Sequence, residues 1–377
     1  MLKLPDNLTA DSFLEQHWQK RPLFMARALD TLRPAITRNE LGWLATLDDV
    51  ESRLVFVDRS GSKPRYHAET GPFESDYLQR LPKRDWTLLV HDVEKHLPDL
   101  RTLFRHVPFI PDWRIDDLMV SFAAPGGGVG PHRDHYDVFL CQGVGIREWR
   151  FTNDAVTDDN GASNDLALVS EFAGEGAYEA REGDVLYLPP GAAHWGTAKR
   201  ACMTYSIGMR APEASELALA LDQRAPAASA FYADADLTTD EAIPGYLSAQ
   251  SALRASALLG LTDHQIDAAA EALGTLSTQP KDWLRPDAAT AEEARTALRH
   301  LEAGGDLGVH GMALIAFDDR NLYVNGSRRD LPEATADLIK TLCATRSIKQ
   351  PIPRLDELSE VLGWMLQKGA FEMPDNS

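Results

Sequence analysis

The fold turns on one stretch: Gly126-Gly127-Gly128-Val129-Gly130-Pro131-His132-Arg133-Asp134-His135-Tyr136-Asp137-Val138-Phe139-Leu140-Cys141. The Gly/Pro run forces an irregular turn directly before His132. The aromatic and β-branched residues from Tyr136 to Cys141 read as a strand. Successive side chains on a strand point to opposite faces, so His132, Asp134 and Tyr136 are expected on one face, with Arg133 and His135 turned away. A second segment, Gly183-Asp184-Val185-Leu186-Tyr187-Leu188-Pro189-Pro190-Gly191, reads as turn, short apolar strand and tight turn, and His194 follows it. Two imidazoles and a carboxylate can take three adjoining positions on a metal and leave the opposite side open, which suits non-haem Fe(II). An isolated H-x-D pair is common, and its histidine is more often a hydrogen-bonded surface residue. Here both candidate segments sit at strand ends beside turns, as a site at the mouth of a barrel requires. A structural zinc is the weaker reading, because the ligand set contains no cysteine.

Working outward, short β-type runs from Ile115 to Met209 alternate with Gly, Pro, Asn and Asp turns, the pattern of an antiparallel barrel or sandwich. Alternation puts Asp117, Met119 and Ser121 on one face, Arg147, Trp149 and Phe151 on another, and Cys202, Thr204 and Ser206 on a third. An arginine sharing a face with Trp and Phe points toward a core, which is costly unless it meets an anion. A protein carboxylate would serve, and so would a dicarboxylate co-substrate held bidentately. Residues Ala10 to Trp18 read as a capped helix. After Pro212 the chain becomes Ala/Leu-rich at helical spacing, with Leu253, Leu258, Leu259, Ile266 and Leu273 in the apolar stripe. Gln279 to Pro286 reads as a linker. Beyond it lie a helix from Ala291, a hairpin turned by Asn325-Gly326, and two more helices, a winged-helix-like set. The expected architecture is α+β, with segments 1–212, 213–288 and 289–377.

The chain of 377 residues is long enough for two or three cores. It has no apolar run of membrane-spanning length, and its first residues lack the apolar core of a signal peptide. Its three dispersed cysteines read as free thiols in a reducing cytoplasm. A net charge of −19 disfavours DNA or RNA as a partner and suits a basic protein. From residue 291 onward, ten Lys/Arg face fourteen Asp/Glu, which argues against a DNA-reading winged helix.

Pro125 to Phe151, Gly183 to Trp195 and the opening Phe13-Leu14-Glu15-Gln16-His17-Trp18-Gln19-Lys20-Arg21-Pro22-Leu23 resemble the JmjC-type 2-oxoglutarate oxygenases. Asp112-Trp113-Arg114-Ile115-Asp116-Asp117-Leu118-Met119 and Gly208-Met209-Arg210-Ala211-Pro212 resemble, more narrowly, bacterial ribosomal oxygenases that hydroxylate an arginine of a large-subunit ribosomal protein. The resemblance implies a double-stranded β-helix (cupin/JmjC) barrel, a helical dimerisation segment and a winged-helix domain. It implies Fe(II) on His132, Asp134 and His194. It also implies 2-oxoglutarate on Arg147, with Ser121, Thr204 or Ser206 as hydroxyl helpers. The substrate arginine would enter a pocket of Asp117, Met119 and Tyr136: a carboxylate for the guanidinium, a thioether for its alkyl stem, and a ring or hydroxyl. The products would be hydroxylated protein, succinate and carbon dioxide. Two departures stand out: His135, where an amide such as Gln is expected, and Thr204, which replaces an Asn. Other readings are an oxygenase acting on a histidine or a small molecule, and a non-enzymatic cupin sensor joined to a winged helix.

Overall fold

The computed structural model describes residues 1–377 apart from 6–7, 31, 34, 156–167, 170–171, 173, 175, 225–228, 350–354 and 374–377. The chain divides into two compact units. The first holds Met1–Phe109, Ile115–Arg210 and Ala235–Thr239. Its helices are α1 (Ala10–Gln16), α2 (Arg38–Leu44), α3 (Ser75–Gln79) and α4 (Val93–His96). Its strands are β1 (Leu23–Met25), β2 (Ser52–Asp58), β3 (Arg65–Thr70), β4 (Trp86–Val90), β5 (Ile115–Ala123), β6 (Val138–Gln142), β7 (Ile146–Ala155), β8 (Tyr178–Arg181), β9 (Val185–Leu188), β10 (Ala192–Ala198) and β11 (Cys202–Met209). They form an eight-stranded sheet, β1-β9-β6-β11-β5-β4-β2-β3, and a three-stranded sheet, β10-β7-β8, with antiparallel pairing throughout.

Register makes cross-strand rows on one face of the larger sheet. Asp117, Gly208, Val138 and Leu188 form one row, and Met119, Ser206, Leu140 and Leu186 the next. Arg53, Leu89, Ser121, Thr204 and Gln142 form a third, and Val55, Thr87, Ala123 and Cys202 a fourth. The amino-terminal segment braces this sheet. Phe13 packs edge-on to Tyr187 at 5.0 Å between ring centroids, and Trp18 stacks on it at 5.9 Å. The Tyr187 hydroxyl donates to Asp137 at 2.6 Å and accepts from the Gln19 backbone N–H at 2.8 Å. Asp137 is fully buried, and the donors it meets, the Tyr187 hydroxyl and Gln19 Nε2 at 2.9 Å, offset the cost of enclosing its charge.

The second unit holds Ile110–Arg114, Ala211–Asp234 and Asp240–Ser377. Helices α5 (Ala214–Ala220), α6 (Ala249–Leu259) and α7 (Ile266–Ser277) precede α8 (Ala291–Glu302), α9 (Glu333–Thr345) and α10 (Leu355–Gln367). Strands β12 (Leu307–Gly308) and β16 (Ser347–Ile348) pair, as do β13 (Ile315–Phe317), β14 (Asn321–Val324) and β15 (Ser327–Asp330). The expected Asn325-Gly326 turn closes β14 onto β15, both residues having the positive φ that a type I′ turn demands. The hairpin sheet is covered on both sides. Ala316 and Tyr323, a register pair, face a cluster with Leu217, Ala269 and Leu273, while Phe317, Leu322 and Val324 face another with Ala297, Ile339 and Leu362. Two cores therefore meet across one small sheet. Among the described residues no helix is long and apolar enough to cross a membrane.

Candidate metal centre and its pocket

The segment from His132 to Asp137 differs from the strand expected of it. β6 begins only at Val138, where its ladders with β9 and β11 begin. Before that, His132 makes only isolated antiparallel bridges, one to Leu168 and one to His194, where each backbone N–H donates to the other's carbonyl at 3.0 and 2.8 Å. With no ladder on either side to hold it flat, this stretch does not alternate, and Arg133 lines the pocket instead of turning away. His135 is exposed and is not among the lining residues. Gly130, with φ +87°, makes the bend that delivers His132.

The donor atoms of His132, Asp134 and His194 all lie within 4.8 Å of one another. The two imidazole centroids are 4.1 Å apart, and His194 Nε2 is 3.7 Å from Asp134 Oδ2. Each ring sets its Nδ1 3.0 Å from the carbonyl two residues earlier, of Gly130 and Ala192 respectively. Donation from Nδ1 leaves each Nε2 unprotonated as the donor to a metal, the usual way an outer partner fixes a ligand's tautomer. Burial, reinforced by His132 and opposed by Asp134, lowers the His194 pKa to about 4, so the ring is neutral at physiological pH.

A cavity of about 290 Å³ opens beside this cluster, lined by both sheets of the first unit. Arg147 reaches into it, 6% exposed, and donates through Nη1 to Ser121 Oγ at 3.4 Å. Its Nε and Nη2 are buried with no hydrogen-bond partner among the described residues. Buried guanidinium donors are seldom left so, which marks this end of the cavity as a seat for an anion. The Trp149 ring lies 5.4 Å from that guanidinium and 6.0 Å from the His194 ring. It rests on bare backbone, since a Cβ on Gly196 would stand 2.5 Å from Trp149 Cζ3.

At the other end Asp117, Met119 and Tyr136 line the wall, with Ser206 and Gly208 of β11 between the first two and β6. Asp117 is 7% exposed, and its Oδ2 lies 3.0 Å from His91 Nδ1 and accepts from the Asp92 N–H at 3.3 Å. Tyr136 is 39% exposed as a residue. Burial of its phenol, then Asp134, Asp117, Asp116 and Glu51, raises its pKa above the ordinary value, so the hydroxyl stays a neutral donor. Thr204, expected as a helper, instead donates from Oγ1 to Gln142 Oε1 at 3.2 Å and is not among the lining residues. Phe151 packs into the cluster of Val138, Leu140 and Trp149. Sequence reading passed over Glu51, Thr87 and His91, which also line the cavity. Alternation along Trp86–His91 carries the signal for the last two, but without the register of β4 against β5 nothing distinguishes that face.

Residues 102–217 match the JmjC domain. The ribosomal protein uL16 3-hydroxylase of Escherichia coli is 43% identical over 205 residues, 54% of this chain and 53% of that protein, so the alignment spans about half of the curated relative. Over the full fold, the X-ray structure of E. coli YcfD is 30% identical with a TM-score of 0.73, covering 99% of each chain. The chain belongs to the JmjC-domain ribosomal oxygenases. A further structure of this family, that of YcfD in complex with cobalt and 2-oxoglutarate, is 29% identical with a TM-score of 0.72 over 97% of this chain. That protein holds a metal and a 2-oxo dicarboxylate together, and the chain described here sets an imidazole–carboxylate cluster and a buried arginine, two of whose donors have no partner among the described residues, in one cavity.

Proposed function

We propose that the protein is an Fe(II)- and 2-oxoglutarate-dependent oxygenase that hydroxylates an arginine side chain of a basic large-subunit ribosomal protein. The observation that carries the reading is the Arg147 guanidinium, buried with two donors that have no partner among the described residues, in the cavity that holds His132, Asp134 and His194. The donor set, two tautomer-fixed imidazoles and one carboxylate, fits Fe(II) with open positions remaining. Bound Fe(II) and 2-oxoglutarate supply dioxygen activation coupled to decarboxylation to succinate and carbon dioxide. The protein's part is positional. Arg147 holds the far carboxylate, with Ser121 beside it and Ser206 along the same wall. Asp117, ordered by His91 and the Asp92 N–H, meets the guanidinium of the substrate, Met119 packs its stem, and Tyr136 closes the slot. The two sheets are read as the halves of a double-stranded β-helix. The exposed Leu219 and Leu253 on α5 and α6 give the helical segment 213–288 apolar surface for a second copy, and the elements from α8 onward are read as winged-helix-like.

The test is mass spectrometry of the basic ribosomal-protein substrate after incubation with enzyme, Fe(II), 2-oxoglutarate and air, beside a His132→Ala control. One added oxygen on an arginine, absent from the control, is the expected result. Succinate formation without that gain would keep the oxygenase and remove the substrate. Bound iron with neither outcome would favour a ligand sensor.

A further inference from the structure

Thr87 is 1% exposed, lines the cavity, and its Oγ1 has no hydrogen-bond partner among the described residues. Its cross-strand neighbours are Val55 on β2 and Ala123 on β5, with Cys202 beyond on β11. That row offers no strong acceptor, and Ala123 and Cys202 belong to a small apolar cluster. Valine has the shape of threonine and would fill the position without enclosing a hydroxyl. An unmet buried hydroxyl is destabilising, so its presence calls for a partner that arrives from outside. Along β4 the same face carries Leu89, which stands opposite Ser121, the acceptor of the Arg147 Nη1 bond. Thr87 is thus one residue pair along the sheet from the seat of the arginine. The adjacent candidate, Thr204, is already engaged by Gln142.

We propose that Thr87 is a further co-substrate-binding residue, its hydroxyl donating to the far carboxylate of 2-oxoglutarate alongside Arg147 and Ser121. This rests on the oxygenase reading above. Together the three side chains give the carboxylate a charged donor and two hydroxyls, which selects a dicarboxylate over a simple 2-oxo acid. A hydrogen bond to a charged group supports roughly a tenfold or larger effect on affinity.

The experiment measures calorimetric binding of 2-oxoglutarate and of 2-oxobutyrate, which lacks the far carboxylate, to Mn(II)-loaded protein without oxygen or peptide substrate. Thr87→Val is expected to weaken 2-oxoglutarate about tenfold and to leave 2-oxobutyrate unchanged, with Thr87→Ser close to wild type. The ligand-free Val variant should melt no lower than wild type, since it loses no internal bond. Unchanged 2-oxoglutarate binding, or equal weakening of both ligands, would overturn the assignment. If the Val variant does not fold, Thr87→Ala takes its place in the same comparison. An Arg147→Met control separates the two levels of argument: binding that is indifferent to Arg147 overturns the site reading itself, whereas binding lost with Arg147 but indifferent to Thr87 removes only the new residue.

Discussion

The carboxylate of Asp117 is held by groups that a ligand does not need to move. His91 Nδ1 stands 3.0 Å away, and the Asp92 N–H adds a second contact from a residue whose own φ is +54°. A carboxylate fixed in this way can meet a guanidinium without losing side-chain freedom on binding. Asp117→Asn keeps the shape and the acceptor but removes the charge. It is expected to raise KM for an arginine-bearing substrate peptide by roughly 10- to 100-fold, the worth of a charge-assisted pair, with little effect on 2-oxoglutarate affinity. Steady-state kinetics in each substrate separate the two; a matching loss for both would show that Asp117 supports the cavity as a whole. Sequence was informative here because Asp117, Met119, Ser121, Arg147 and Trp149, which line the cavity, lie on regular strands. Period-two alternation placed Asp117, Met119 and Ser121 together, and Arg147 with Trp149, before any register was known. Alternation misled for Arg133 because the loop before β6 has only isolated bridges at His132, to Leu168 and His194, and no ladder.

Elements place these residues through contacts that sequence spacing cannot express. Gly196 in β10 is indistinguishable from any other strand glycine until β7 is laid against it in register with Trp149. Gly196→Ala would force its Cβ to 2.5 Å from the Trp149 ring, which lies between Arg147 and His194. Overpacking of this kind costs about 1–3 kcal/mol. A lower urea midpoint together with weaker 2-oxoglutarate binding is expected, and loss of stability alone would show that the ring has no part in holding 2-oxoglutarate. α4 carries a second such arrangement. Glu94 and Lys95 are buried beside Asp92, whose carboxylate takes the Lys95 ammonium, and the Leu118 N–H donates to Glu94 Oε2 at 2.9 Å. Burial first, then Asp117 and Asp92, raise Glu94 from 4.5 to about 7, with Lys95 and the Leu118 bond pulling the other way. The folded protein therefore binds this proton more tightly than the unfolded chain. The stability it contributes is complete below about pH 4.5 and is lost as pH rises through about 7. Glu94→Gln is expected to flatten that decline, gaining on wild type by a few kcal/mol between pH 5 and pH 8. Parallel urea-midpoint curves for the two proteins would remove the buried acid as the cause.

Across the whole molecule the net charge is −19, and the reading of a basic substrate has its broadest consequence there. Charge of this size attracts a cationic partner over distances that salt shortens, about 10 Å at 0.1 M and about 3 Å at 1 M. The attraction acts on encounter, so it belongs to kcat/KM and not to the chemistry after binding. Raising salt from low to several tenths molar is expected to lower kcat/KM for a basic ribosomal-protein substrate several-fold while leaving kcat nearly constant. A short arginine peptide carrying a single positive charge should show a much weaker dependence, because only the local pair with Asp117 remains to be screened, and that carboxylate is largely buried. If the full basic protein and the short peptide lose kcat/KM in parallel, the global charge contributes nothing to recognition, and the acidic surface serves solubility alone. The same comparison tells the ribosomal reading from a small-molecule one, since a small substrate has no extended cationic surface for the field to act on.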